Sequence, residues 1–195
     1  YWISNNETKG DSNPSYYVNM FDNSQSNIIN FKTGIINVGD SPVSENGQYS
    51  GSLDSYLATL SINLQNTDIE GDVCYTSYYK YVGWEADDDI SNWKKNGEIS
   101  GIEDFSNFLG GIRVAFTGQL AENFDIYYRI SDNIYGWHDW VKNGEKTGCY
   151  NYGEIDRIQI DARPKGSIEP WKQYYINKYF IELGYVNNNI INEDY

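Results

Sequence analysis

The stretch Trp93–Gly101, WKKNGEISG, is written again at Trp140–Gly148 as WVKNGEKTG, starting 47 residues later with six of nine positions identical. A chain that repeats a turn so closely is built from units that stack on one another, and this constrains the fold more than any compositional figure. The Asn-Gly pairs, Asn96-Gly97 and Asn143-Gly144, supply the positive φ that a two-residue hairpin turn demands. The similarity also extends outward. DVCYTSYYKYVGW precedes one copy and ends at Trp84, FDIYYRISDNIYGW precedes the other and ends at Trp137, and FLGGIRVAF and EIDRIQIDA follow. In those trailing segments Ile112 and Val114, and Ile158 and Ile160, alternate with polar residues, the period of a half-buried strand. Each unit reads as strand, strand, Asn-Gly turn, strand, loop, strand.

A third copy is expected one period upstream. ENGQYSG at Glu45–Gly51 keeps the Asn-Gly pair and the later Gly, and YLATLSINL at Tyr56–Leu64 keeps the alternating strand. This copy lacks the Trp residues, and its first strand must lie within SYYVNMFDNSQSNIINFKTGIINV. The units span roughly 15–65, 66–117 and 118–162 of a single domain of 195 residues, with an extension over 163–195. Within that extension Pro170 opens a turn or short helix, and YYINKYFIELGYV reads as one or two further strands able to pair with the YWIS start and cover a sheet edge. The middle copy carries an acidic insertion, EADDDIS, at Glu85–Ser91.

Strand, Gly-Trp, W-x-x-Asn-Gly-Glu-x-x-Gly and an arginine-bearing strand such as RIQI together resemble the clostridial hydrophobic W (ChW) repeat. The match is good over Tyr127–Ala162, good in the middle copy apart from the insertion, and partial in the first. The resemblance implies a secreted or cell-surface module of Gram-positive, clostridia-like bacteria, used in adhesion, surface attachment or polysaccharide binding, and it implies no catalysis. Three four-stranded units then suggest an all-β fold, a pseudo-threefold β-prism-like array in which each unit forms its own Greek-key sheet, with a β-trefoil as the alternative.

Charge narrows the partners. With 14 Lys and Arg against 28 Asp and Glu the net charge is −14, which repels phosphate backbones and anionic lipid surfaces, so nucleic acid is not expected as a partner. No apolar run is long enough to insert in a membrane. The first residue is Tyr1, so the chain reads as a mature or excised piece. Its 19 Tyr, 6 Trp and 7 Phe suit exposed sheet and also ligand-binding surfaces, since rings supply contact area at little rotamer cost. The expected partner is a glycan or cell-surface polysaccharide, and alternatively a host or bacterial surface protein, as for the receptor-binding part of a larger toxin.

A Trp at a fixed place in every repeat is expected to fill that repeat's core, which assigns Trp84 and Trp137 there. Trp93, Trp137 and Trp140 are also candidate rings for stacking on sugar C–H faces, joined by aromatics that the repeat does not require, Tyr78, Tyr79, Tyr150 and Tyr152, and by the hydroxyl-binding side chains Asn133, Asp139 and Asn151. Glu85, Asp87, Asp88 and Asp89 hold enough oxygens for calcium but lack the order of an EF-hand loop. Cys74 and Cys149 can form a disulfide, although no spacing requires it. His138 and Asp139 are adjacent on a strand and point to opposite faces, so they do not form a base with its orienting acid, and no hydrolase or phosphate-loop motif is present.

Overall fold

A computed structural model of the chain describes residues 27–86, 88–102 and 107–182. The chain divides into two compact units, Ser24–Pro170 and one made of Tyr1–Asn23 with Trp171–Tyr195. In the larger unit each repeat contributes five strands. The first repeat forms β1 (Ile29–Ile35), β2 (Gly39–Asp40), β3 (Ser44–Glu45), β4 (Tyr49–Gly51) and β5 (Leu57–Leu64). The second forms β6 (Val73–Tyr79), β7 (Gly83–Trp84), β8 (Lys94–Lys95), β9 (Ser100–Gly101) and β10 (Leu109–Phe116). The third forms β11 (Phe124–Asp132), β12 (Gly136–Trp137), β13 (Val141–Lys142), β14 (Thr147–Gly148) and β15 (Ile155–Pro164). The worn first copy is therefore a full unit, and its missing first strand is Ile29–Ile35.

The three long pairs, β1 with β5, β6 with β10 and β11 with β15, are antiparallel and form the centres of three separate sheets. None closes into a barrel, so the trefoil alternative is set aside in favour of three sheets. One expectation is corrected: the sheets are not self-contained. The second arm of each Asn-Gly hairpin leaves its own unit and pairs with the long strand of another. Arm β9 pairs with β5, placing Gly101 opposite Thr59, and β14 pairs with β10, placing Gly148 opposite Gly111. Arm β4 pairs with β15, placing Gly51 opposite Arg157, and closes the cycle.

Threefold equivalence extends to single hydrogen bonds. The amide N–H of the turn glycine donates to Ile62 O from Gly97, to Val114 O from Gly144 and to Ile160 O from Gly47, at 2.7–2.8 Å. The carbonyl of the same glycine accepts from Ser61 Oγ (2.9 Å), Arg113 Nε (2.8 Å) or Gln159 Nε2 (2.8 Å), three side chains at one equivalent position. The residue after the glycine caps the hairpin: Glu98, Glu145 and Gln48 accept from Lys95 N, Lys142 N and Glu45 N. In the second and third copies Asn96 and Asn143 sit at φ 40° and 48° and accept from Val73 N and Ile126 N at 3.0 Å. Asn46 instead accepts from Ala162 N on the partner sheet, and there only Gly47 has positive φ.

The inward faces of all six long strands share one core, with Phe31, Leu60, Ile62, Tyr75, Ile112, Val114, Tyr128, Ile130, Ile158 and Ile160 buried. Burying each such side chain stabilises by about 1.5–3 kcal/mol. The outward face is covered too, contrary to the half-buried reading of β15. Arg157, Gln159, Asp161 and Arg163 are all buried, because the first unit's hairpin lies over them. Arg163 donates to Asp161 at 2.7 Å, yet burial still pushes that carboxyl above the ordinary carboxylate range.

The Gly-Trp motif has a different role from core filling. Arg129 lies between Trp137 and Trp140, 4.4 and 4.7 Å from their ring centroids, and Arg157 lies 4.9 Å from Trp137. Arg113 lies between Trp93 and Trp84, at 4.5 and 5.9 Å. Such cation–π stacks stabilise partly buried guanidinium groups. Trp84 and Trp137 are thus half-buried lids over arginines, whereas Trp93, packed with Cys74 and Ala115, is the buried ring. The first copy replaces the lid by Asp40, which forms an ion pair with Lys32. The loss of its Trp thus has a local account.

Beyond β15, Pro170–Glu182 is a helix, which corrects the expected strands over YYINKYFIELGYV. Pro170 sits at the first helical position, where its fixed φ and absent N–H suit a helix start. The YWIS segment and residues 183–195 lie outside the described residues.

Candidate ligand-binding cleft

Strand β11 ends at Asp132, whose buried carboxylate organises the turn to β12. Its Oδ1 accepts from Ile134 N (2.8 Å) and Tyr135 N (2.7 Å), and its Oδ2 accepts from His138 Nε2 (2.7 Å). A carboxylate only accepts, so the hydrogen of this bond lies on Nε2. The His138 backbone N–H is fixed to Ile130 O at 2.9 Å.

Opposite lies the loop that follows arm β14. Tyr150, at φ 53°, donates its N–H to Gly110 O at 2.6 Å, and Tyr152 N donates to Cys149 O at 3.0 Å. Between the turn and the loop is an open cavity of about 300 Å³ lined by Tyr135, His138, Gly148, Cys149, Tyr150 and Tyr152. That volume is at the lower end of small-ligand sites. Tyr135 and Tyr152 are 77% and 83% exposed, so both side chains are open to solvent at the cavity.

The equivalent places in the other units are closed. His138 corresponds to Ser41 and Glu85, whose N–H groups make the same bond to Thr33 O and Ser77 O. Ser41 Oγ is consumed in a buried hydroxyl cluster with Ser50 (2.7 Å) and Thr33, and Glu85 accepts from Ser100 Oγ at 2.6 Å.

Of the residues expected from sequence, Tyr150 and Tyr152 line the cleft, and Asp139 is exposed beside His138. Asn151 braces the loop, accepting from Tyr81 N at 2.8 Å and from Tyr78 Oη at 3.2 Å. Tyr78 stacks edge-on with Trp84 and Tyr150 at 5.6 and 5.3 Å. Asn133 is occupied by Glu154, accepting from its N–H at 3.0 Å and donating to its Oε2 at 2.8 Å. Four others have structural roles: Tyr79 packs against the core, Trp93 is buried, and Trp137 and Trp140 clasp Arg129. Sequence reasoning missed Tyr135, Asp132 and Cys149. Asp132 carried a local signal, since an Asp just before a turn accepts from backbone two and three residues on.

Among the described residues the acidic loop does not gather for calcium. Asp88 is held by Arg113 (2.5 Å) and Lys146 (3.3 Å), which pull its carboxyl below the ordinary range, the Arg113 hydrogen bond most of all. Asp89 caps the 3-10 turn Ile90–Asn92 through Ser91 N, Glu85 faces Ser100, and Asp87 lies outside the described residues. Among the described residues no three His, Cys, Asp or Glu side chains are placed to hold a metal.

Cys74 and Cys149 are buried free thiols. Burial, followed by the Asp132 carboxylate, pushes the Cys149 thiol from its ordinary 9.0 up to about 11, and burial raises Cys74. Since only the thiolate reacts, a neutral-pH disulfide reagent is expected to label native protein roughly a hundredfold more slowly than unfolded protein. Stopped-flow absorbance checks this, and rapid labelling of native Cys149 would show the thiol to be activated.

No protein-family model, curated protein or solved structure matches the chain.

Proposed function

We propose that the chain is a non-catalytic extracellular recognition module of the ChW-repeat kind, and that the cleft of the third unit binds a glycan or cell-wall polysaccharide. The observation that carries this reading is the pair of exposed tyrosines, Tyr135 and Tyr152, lining one cavity together with His138. Ring faces pack on sugar C–H groups, and the polar edge of His138 can hydrogen-bond a sugar hydroxyl. The raised Cys149 thiol argues against a nucleophile beside that histidine.

The test is an array of mammalian glycans and bacterial cell-wall polysaccharides probed with wild type, Tyr152→Ala and Tyr135→Ala. Each variant is expected to lose tenfold or more of affinity, about 1.4 kcal/mol, with an unchanged melting temperature, because both side chains are exposed. A blank array with folded protein would end the glycan reading.

A second reading, a protein-binding adhesion or receptor-binding module, is favoured by a different observation. The turn before each Gly-Trp or Gly-Asp pair carries an exposed apolar residue in every unit: Val38, Val82 and Ile134. Threefold equivalence puts these tips at one end of the array, and exposed apolar patches of this kind mark protein interfaces. Val38→Asp with Val82→Asp separates the readings, since it spares the cleft.

A further inference from the structure

Three aromatic side chains among the described residues of the Ser24–Pro170 unit are strongly exposed: Tyr81 (77%), Tyr135 (77%) and Tyr152 (83%). Two of them line the cleft. The third belongs to the second unit, at the tip between β6 and β7, yet its backbone is bound to the cleft loop. Asn151, between Tyr150 and Tyr152, accepts from Tyr81 N at 2.8 Å. Lys80 lies 5.5 Å from the Tyr81 ring centroid and is itself paired with Glu154.

The backbone at this junction is strained in a consistent way. Tyr81 and Tyr150 both adopt left-handed conformations, at φ 65° and 53°, which an aromatic residue enters only at a cost in strain. The first unit meets the same requirement with Asn37 at φ 62°, a residue that tolerates it. A tyrosine at Tyr81 is therefore not needed for the turn; the local fold would prefer asparagine. Nor is it needed for the core, being exposed. An exposed ring on a strained residue, whose backbone N–H is tied to the loop of a ligand-sized cavity, is placed as a binding platform would be.

We infer that Tyr81 is a second stacking subsite continuous with the cleft, and that the ligand is an internal stretch of a linear polysaccharide lying across Tyr81, Tyr152 and Tyr135, rather than a single sugar at a chain end. This rests on the glycan reading and narrows it. The cleft belongs to the third unit and the platform to the second, so the register of the chain is set by the contact between two units. The cavity is open to solvent and lined by three tyrosine rings, Tyr135, Tyr150 and Tyr152.

The experiment is isothermal titration of wild type and Tyr81→Asn with oligosaccharides of one to six residues in three series: β-1,4-linked N-acetylglucosamine, β-1,4-linked glucose and α-1,6-linked mannose. Wild-type affinity is expected to rise with length in the series that binds. Tyr81→Asn is expected to lower affinity for the longest members about three- to tenfold, the effect of one ring stack, and to leave the shortest binding member unchanged. The same variant is expected to melt at an equal or higher temperature, which separates loss of a platform from loss of fold. A monosaccharide binding as tightly as the hexamer, or a Tyr81→Asn chain binding the hexamer like wild type, overturns the inference while leaving the glycan reading intact. Failure of all three series to bind folded protein overturns both.

Discussion

Alanine at Gly51 or Gly101 is expected to destabilise the larger unit by at least about 3 kcal/mol, and alanine at Gly148 by a similar amount. These are the glycines that end the three exchanged arms. A Cβ on Gly51 would stand 2.1 Å from Asp156 O, on Gly101 2.2 Å from Ala58 O, and on Gly148 2.3 Å from Gly110 O. In each case the obstacle is the carbonyl of a central strand, which cannot rotate away like a side chain. Gly51 and Gly101 also sit at φ 102° and 123°, where an L side chain is disfavoured whatever the space. Gly39, at φ 102° with nothing near its Cβ position, isolates the conformational part, and Gly39→Ala is expected to lose about 1 kcal/mol. Urea unfolding of the four variants decides the matter. If Gly51→Ala fell within about 0.5 kcal/mol of Gly39→Ala, the close seating of the arm would be wrong.

The second large effect is at Trp93. Truncation to alanine is expected to cost roughly 3–5 kcal/mol, because the ring is 4% exposed, packs with Cys74 and Ala115, covers Arg113, and leaves a void that backbone cannot fill. Trp84→Ala, which removes a half-buried lid from the same arginine, is expected to cost about 1–2 kcal/mol. Thermal unfolding of the pair tests which Trp of the repeat is core. The reverse order would restore the simple expectation that the Gly-Trp ring is the buried one.

That expectation failed for an instructive reason. Strand positions, Asn-Gly turns and the worn third copy are written in local periodicity, and so was the inward face of Ile112, Val114, Ile158 and Ile160. What lay over the outward face was not local. Arg157 and Gln159 are buried because a hairpin from more than a hundred residues earlier rests on them, and nothing near EIDRIQIDA announces it. The cleft is similar. Tyr150 and Tyr152 could be chosen as aromatics that the repeat did not require, but Tyr135 and Asp132 face them only after β14 has crossed to the second unit's sheet. The helix that Pro170 opens runs on to Glu182, where an aromatic-rich run imitates strand composition, a weak signal without turn residues between its halves.

The exchange of arms has a consequence for how the molecule comes into being. The closing contacts join Gly47 to Gln159 and Asn46 to Asp161, 112 and 115 residues apart, so an emerging chain holds two unfinished sheets until the third repeat is complete. Loop closure of that length must precede the contacts that reward it, which places this array among slow, high-contact-order folders. No one repeat owns all the strands of its sheet, so a single excised repeat has an open edge, and the three repeats are expected to melt as one.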